Sequence, residues 1–166
     1  MKKCLILVGL PATGKSTWVD SLVADDPYDP YDNDPIADWP VHSTDNIVEK
    51  IADNYGFTYN EIWKDTISLA TRLYNRDMKE TIKAECSCII DRTNLTIESR
   101  KKIIDLFKPK GYKIEVMVFS KPDDVEWNRR LGSREGKNIP KEQLDSMIER
   151  YQEPSKEEGI DEIYFV

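Results

Sequence analysis

The chain has 166 residues, 39% of them apolar, enough for one core and one domain over 1–166. Its formal charge is −7, which excludes a high-affinity wrapper of DNA that neutralises many phosphates at once. No run of about 20 apolar residues is present, so no membrane span is expected and the cytosol is the expected compartment.

Lys3 to Val8 reads as a buried strand, and Ser16 to Ala24 as a helix with Trp18, Val19, Leu22 and Val23 on one stripe. Between them, Gly9-Leu10-Pro11-Ala12-Thr13-Gly14-Lys15-Ser16-Thr17 fits G-x-x-x-x-G-K-[ST] in full. Such a loop turns successive backbone N–H groups inward and cradles phosphates. Lys15 would reach the β- and γ-phosphates, and Ser16 would hold Mg²⁺. Gly9, Pro11, Ala12, Thr13, Gly14, Lys15, Ser16 and Thr17 are therefore the expected nucleotide-binding residues. A strand before the motif and a helix after it make a bare glycine-rich turn a poor explanation. The motif also argues against a cleaved leader at Met1 to Leu10, since cleavage would remove the site.

Residues 25–39 read as an Asp-, Pro- and Tyr-rich insertion loop, either a solvated excursion or a flap whose tyrosines stack on a base. Charge is concentrated here and just beyond: 25–65 hold eleven Asp or Glu against Lys50 and Lys64, a local −9. Pro40 to Ser43 reads as a short strand, with Ser43 or Thr44 capping a helix that starts near Asp45. Asn60 to Glu85 has a long helical period through Ile62, Leu69, Leu73, Met78 and Ile82. Ser87 to Asp91 is an apolar strand closing on an acid. Ile97 to Phe107 is a helix and Tyr112 to Ser120 a strand. Asp123 to Leu131 and Lys141 to Tyr151 are helices around a basic, Gly-containing lid at about 130–140. Ile160 to Val166 is the last strand. This alternation predicts an α/β fold with about five parallel strands, helices on both faces and a helical lid.

Ligands on such sheets bind at the carboxyl ends of the strands, where Asp45 and Asp91 stand. Asp45 is the candidate general base, because a hydroxyl acceptor loses its proton as it attacks phosphorus. The alternative is a helix-start residue favoured by the dipole. Asp91 is the candidate Mg²⁺ carboxylate, with Ser16 as the other ligand; it would otherwise cap the turn into Thr93 and Asn94. Those two residues either position the acceptor or order the loop, and Arg92 points to phosphate or to solvent. In Arg129-Arg130-Leu131-Gly132-Ser133-Arg134-Glu135-Gly136-Lys137, Arg134 is the candidate lid arginine for the transferring phosphoryl group. Arg130 would pack against adenine. Cys4, Cys86 and Cys88 with the lone His42 make no zinc spacing and read as buried free thiols.

Gly9 to Trp18, Ser43-Thr44-Asp45, Ile90-Asp91-Arg92-Thr93-Asn94-Leu95 and Arg130 to Pro140 occur in an order that resembles the kinase domain of bacteriophage polynucleotide 5′-kinases. The resemblance covers nearly the whole chain. It implies a P-loop kinase fold, ATP and Mg²⁺ as cofactors, and a hydroxyl acceptor on DNA or RNA, most simply a 5′-OH end, in host cytoplasm if the chain is phage-encoded. Carried across, Lys15 and Ser16 hold phosphates and metal, Asp45 is the base and Arg134 the lid arginine. Two positions depart from the pattern. Val48 stands where that group has an arginine facing the acceptor's phosphate, and Asp91 sits one place earlier than the matching acid. The alternatives are a kinase of a hydroxymethyl pyrimidine in phage DNA, a kinase of a nucleoside or small metabolite, and a P-loop switch that hydrolyses ATP without an acceptor.

Overall fold

In the computed structural model, which describes residues 1–25 and 35–166, the chain is built on five parallel strands. They are β1 (Lys3–Val8), β2 (Val41–His42), β3 (Cys88–Asp91), β4 (Lys113–Val118) and β5 (Glu162–Phe165), in the order β2-β3-β1-β4-β5. The helices are α1 (Lys15–Asp25), α2 (Thr44–Tyr55), α3 (Tyr59–Ala84), α4 (Ile97–Phe107), α5 (Asp124–Gly132) and α6 (Lys141–Glu149). No described helix is long and apolar enough to cross a membrane.

β1 and β3 are near-continuous apolar runs because a central parallel strand is covered on both faces. One face of the sheet carries Cys4, Ile6, Val8, Cys88, Ile90 and Val116, which pack against Tyr74 and Met78 of α3 and Ile103 and Phe107 of α4. The opposite face carries Leu5, Leu7 and Ile89, which meet Trp39, Phe119 and, from α1, Trp18, Val19 and Leu22. A third cluster joins Leu10 to Leu95, to Trp127 of α5 and to Leu144 of α6, so the lid helices rest on the P-loop.

Helix boundaries follow local chemistry. Ser43 caps α2 by accepting from the Asn46 N–H at 3.3 Å, and Gly56 ends it in the left-handed region. The Glu61 carboxylate accepts from the N–H and hydroxyl of Thr58 at 2.7 and 2.8 Å, opening α3 with a capping box. The period predicted for α3 is partly displaced. Its buried positions are Ala70, Tyr74, Met78 and Thr81, while Leu69 stays 41% exposed. α3 packs on both the sheet and α2, and that double packing sets the buried stripe. Cys4 and Cys88 are buried neighbours in register, but Cys86 is exposed, which corrects the expectation of buried thiols throughout. It sits in the turn between α3 and β3, outside the core. The insertion tyrosines, Tyr28 and Tyr31, lie outside the described residues. Of the rest of that segment, Ile36–Asp38 forms a 3₁₀ turn and Trp39 is buried.

A buried ion pair ties the turn before the last strand to the loop after β3. The Arg100 guanidinium grips the Glu158 carboxylate through two hydrogen bonds of 2.8 Å and donates to the Asn94 carbonyl at 3.0 Å. Both side chains are almost fully buried, at 0% and 5% exposure. Removing one member of such a pair leaves an uncompensated charge inside. Arg100→Ala is expected to lower unfolding free energy by about 3–5 kcal/mol in urea titration.

Candidate active site

The P-loop leaves β1 at Val8 and enters α1 at Lys15. Gly9 is required by space. A Cβ there would sit 2.9 Å from both the Phe119 carbonyl and the Thr13 hydroxyl. The Gly9 N–H donates to the Thr93 carbonyl at 3.0 Å, fastening the loop to the segment after β3. Ala12 holds φ 60°, an uncommon value for a residue with a Cβ, and Thr13 donates to the Leu10 carbonyl at 2.9 Å. The Pro11 carbonyl accepts from the Trp127 indole at 2.8 Å.

Lys15 is 7% exposed and folds over its own loop, donating to the carbonyls of Gly9 and Leu10 at 2.8 and 2.7 Å. Burial brings its pKa down from 10.5 to about 8; Asp91 opposes this, Arg134 adds to it, Asp45 opposes it and Lys137 adds to it. The cation is thus held among carbonyls in a form that a phosphate would stabilise further. Ser16 donates to Asp91 Oδ2 at 3.2 Å. Burial pushes the Asp91 carboxyl up, with Lys15 and Ser16 pulling the other way. A hydroxyl and a carboxylate side by side are the hard oxygen donors that suit Mg²⁺, which completes its shell with phosphates and water. Among the described residues no cluster of three or more His, Cys, Asp or Glu forms a protein cage for a metal. Thr17 lies exposed in the first turn of α1.

Asp45 projects from the first turn of α2, facing this loop. Its Oδ1 accepts from the Tyr59 hydroxyl at 2.9 Å and its Oδ2 meets the Lys137 ammonium at 2.8 Å. Burial would raise the Asp45 carboxyl, but the Lys137 ammonium, the Tyr59 hydroxyl and the Arg134 charge outweigh it and hold the group below its ordinary value. Lys137 also meets Glu49 Oε1 at 2.7 Å and lies 4.3 Å from the Tyr59 ring centroid. Burial and the neighbouring Asp45 carboxylate push the Tyr59 hydroxyl well up, so it stays a donor.

The lid reaches this point because of Gly136. It has φ 67°, and a Cβ there would lie 2.9 Å from the Thr58 side chain. The Asn60 N–H donates to the Gly136 carbonyl at 3.1 Å, and Lys137 then drops between Asp45 and Glu49. Arg134 acts electrostatically on both Lys15 and Asp45, and its guanidinium has no hydrogen-bonding partner among the described residues. Arg130 donates to Glu126 at 2.6 Å, and its Nη1 lies 3.9 Å from where a Gly14 Cβ would stand, so it borders the P-loop. Asn94 orders the loop after β3, donating to the Leu7 carbonyl at 2.8 Å.

The fold thus gathers Lys15, Ser16, Asp91, Asp45 and Arg134 at one edge of the sheet. Tyr59 and Lys137 join them and escaped the sequence reading. Lys137 stood in the basic segment with nothing to separate it from its neighbours, and Tyr59 carried no signal.

The AAA-domain family matches residues 5–154. The chain is 25% identical over 162 residues to the bifunctional polynucleotide phosphatase/kinase of Schizosaccharomyces pombe, a match that covers 96% of this chain and 32% of that protein. It spans about a third or less of the curated relatives it matches. A chain of the Pnkp1/Rnl/Hen1 RNA repair complex superposes with TM-score 0.64 at 22% identity, covering 90% of this chain and 44% of that one. Kti12 of Chaetomium thermophilum in complex with ADP-AlF3 superposes with TM-score 0.62 at 18% identity, covering 98% and 88%. At these identities the two structures show the fold.

Two titrations check the electrostatics. In carboxyl-carbon NMR, Asp45 is expected to titrate below 3.8, and Lys137→Met to raise it. The stability from this ion pair is present above the ordinary carboxyl value and disappears as pH falls through the lowered one. ADP affinity is expected to fall as pH rises past about 8, where free Lys15 loses its proton, with Lys15→Met removing that dependence.

Proposed function

The chain belongs to the AAA-domain family, and from that premise we propose that it is an ATP-dependent phosphotransferase acting on a hydroxyl of nucleic acid, most simply a 5′-OH end. The observation that carries the reading is Asp45. It is a half-exposed carboxylate kept ionised by Lys137 and Tyr59, facing the P-loop from a neighbouring strand end. A P-loop that only hydrolyses ATP as a switch has no use for a base aimed at an acceptor.

In the proposed reaction the acceptor oxygen bonds to the γ-phosphorus and the β–γ bridging bond breaks, releasing ADP. Asp45 takes the hydroxyl proton as attack proceeds. Lys15 leaves its own loop carbonyls for the β- and γ-phosphates, joined by the N–H groups at the start of α1. Arg134 faces the charge that spreads over the transferring oxygens. Ser16 and Asp91 would hold Mg²⁺, which supplies charge neutralisation on the phosphates. Arg130, beside Gly14, is placed for the donor nucleotide. Lys137 keeps the base charged and fastens the lid beside it.

The polynucleotide phosphatase/kinase likeness, carried by one quarter identity along nearly the whole chain, supports a nucleic-acid acceptor. One observation favours a second reading. Val48 is fully buried, so α2 offers no cation to an acceptor phosphate at that position. A kinase of a hydroxymethyl pyrimidine base in DNA, or of a small metabolite, needs none.

The test is transfer from γ-labelled ATP with Mg²⁺ to 5′-OH DNA, 5′-OH RNA, end-blocked duplex bearing hydroxymethyl pyrimidines, and a nucleoside mixture. Label on the 5′-OH strands is expected; label only on the blocked duplex or on nucleosides overturns the end-kinase reading. Asp45→Asn is expected to slow transfer by about 10²-fold or more while ATP affinity stays nearly intact. Survival of transfer in that variant would remove Asp45 as the base.

A further inference from the structure

A cleft of about 430 Å³ opens on the far side of the loop after β3, between α3, α4 and α6. Its floor is apolar, formed by Met78, Ile103, Leu106 and Met147. Its cations are Arg92, Lys102 and Arg150, and no Asp or Glu stands among its described lining residues. In a chain of net charge −7, with acids outnumbering bases 31 to 24, that is a marked local inversion. The Arg92 guanidinium lies 5.2 Å from the centroid of the Tyr74 ring. Neither Arg92 nor Arg150 has a carboxylate partner among the described residues, whereas Lys102 is held by Glu98 at 2.8 Å.

Tyr74 supplies an independent observation. It lines the cleft at 3% exposure, and its buried hydroxyl has no hydrogen-bond partner among the described residues. Burial pushes that hydroxyl up to about 12, while the adjacent Arg92 guanidinium pulls it down through its charge and as a hydrogen-bonding neighbour short of a well-aligned bond. Buried hydroxyls are ordinarily satisfied, so one without a well-aligned bond, beside a guanidinium that lacks a carboxylate, leaves room for an acceptor oxygen between them.

The cleft shares the loop after β3 with the candidate active site. Thr93, which lines it, takes the Gly9 N–H of the P-loop on its carbonyl. Arg92 directly follows Asp91 at the end of β3, and β3 pairs with β2, the strand that leads to Asp45. The cleft and Asp45 thus flank the end of β3, from the loop that follows it and from the neighbouring strand.

We propose that the cleft binds the phosphodiester segment of a single-stranded nucleic-acid acceptor adjacent to its reacting hydroxyl, a role that rests on the reading of the chain as a nucleic-acid kinase. Arg92 and Arg150 bind phosphate oxygens, the Tyr74 hydroxyl donates to one of them, and a base lies on the apolar floor. These groups stand in for the cation that Val48 does not provide.

The experiment measures binding of a 3′-labelled, 5′-OH single-stranded oligonucleotide by fluorescence anisotropy over a range of salt. The variants are Arg92→Ala/Arg150→Ala, on two exposed side chains, and Tyr74→Phe, which keeps the ring and removes only the hydroxyl. Thermal unfolding and ADP binding are followed in parallel to confirm folding. The double variant is expected to bind on the order of tenfold more weakly, with the salt slope shallower by about 0.7 for each arginine–phosphate pair removed. Tyr74→Phe is expected to weaken binding without lowering the unfolding midpoint. In transfer assays the acceptor KM rises while kcat changes little. Unaltered affinity and salt slope in these variants, with transfer to the oligonucleotide intact, overturn the cleft and leave the kinase reading standing. Binding abolished with the two arginines, while the wild type labels no 5′-OH strand, overturns the end-kinase reading and leaves the cleft. A wild-type protein that does not bind the oligonucleotide overturns the proposal outright.

Discussion

The parallel pairing of β1 with β3 sets Leu7 opposite Asp91, and the geometry of the site descends from that register. It brings an acid to the edge of the P-loop, where Ser16 reaches it. It lets the Gly9 N–H close on the Thr93 carbonyl and the Asn94 amide close on the Leu7 carbonyl. A slip of one residue would reverse which side chains face each layer. With apolar residues on both faces of these strands, it is the Gly9–Thr93 and Asn94–Leu7 bonds beyond them that pin the register.

Charge is the second organising quantity. Asp45 and Asp91 come from neighbouring strand ends and influence each other, yet their environments push them apart. Asp91, driven up by burial, lies against Ser16. Asp45 is drawn down by Lys137 and Tyr59. The two acids, a strand apart, thus stand in opposite electrostatic environments. The acids are offset by Lys15, Lys137 and Arg134, of which only the Arg134 side chain is without a hydrogen-bonding partner among the described residues. Lys137 belongs to the segment before α6 and Asp45 to α2, so the ion pair that lowers the Asp45 carboxyl also ties that segment to α2.

Some of this was legible in the sequence because it is local. The P-loop is one contiguous spacing whose function lies in its backbone, and the alternation of short apolar runs with helical periods sufficed for a parallel sheet. Ser43 behaves as the cap read for it because its partner, Asn46, lies three residues on. The long period of α3 was legible as a helix, but its buried face was not. Leu69 stays largely exposed and Tyr74 is buried, since the sheet and α2 together choose the stripe. Cys86 and Cys88 looked alike in sequence; only one of them falls in the sheet.

By itself the sequence determined the α/β class, the phosphate-binding loop and the acids at the strand ends, because each depends on residues near one another along the chain. Tertiary structure alone decided the surroundings of those acids. Lys137 and Glu49 are 88 positions apart and Arg100 and Glu158 are 58 apart, and no local periodicity announces such partners. Gly136 could be recognised as a turn residue, but not as the point where the lid passes against Thr58. The orphaned hydroxyl of Tyr74 is likewise a property of packing. A hydroxyl becomes unpartnered only when everything around it has been placed.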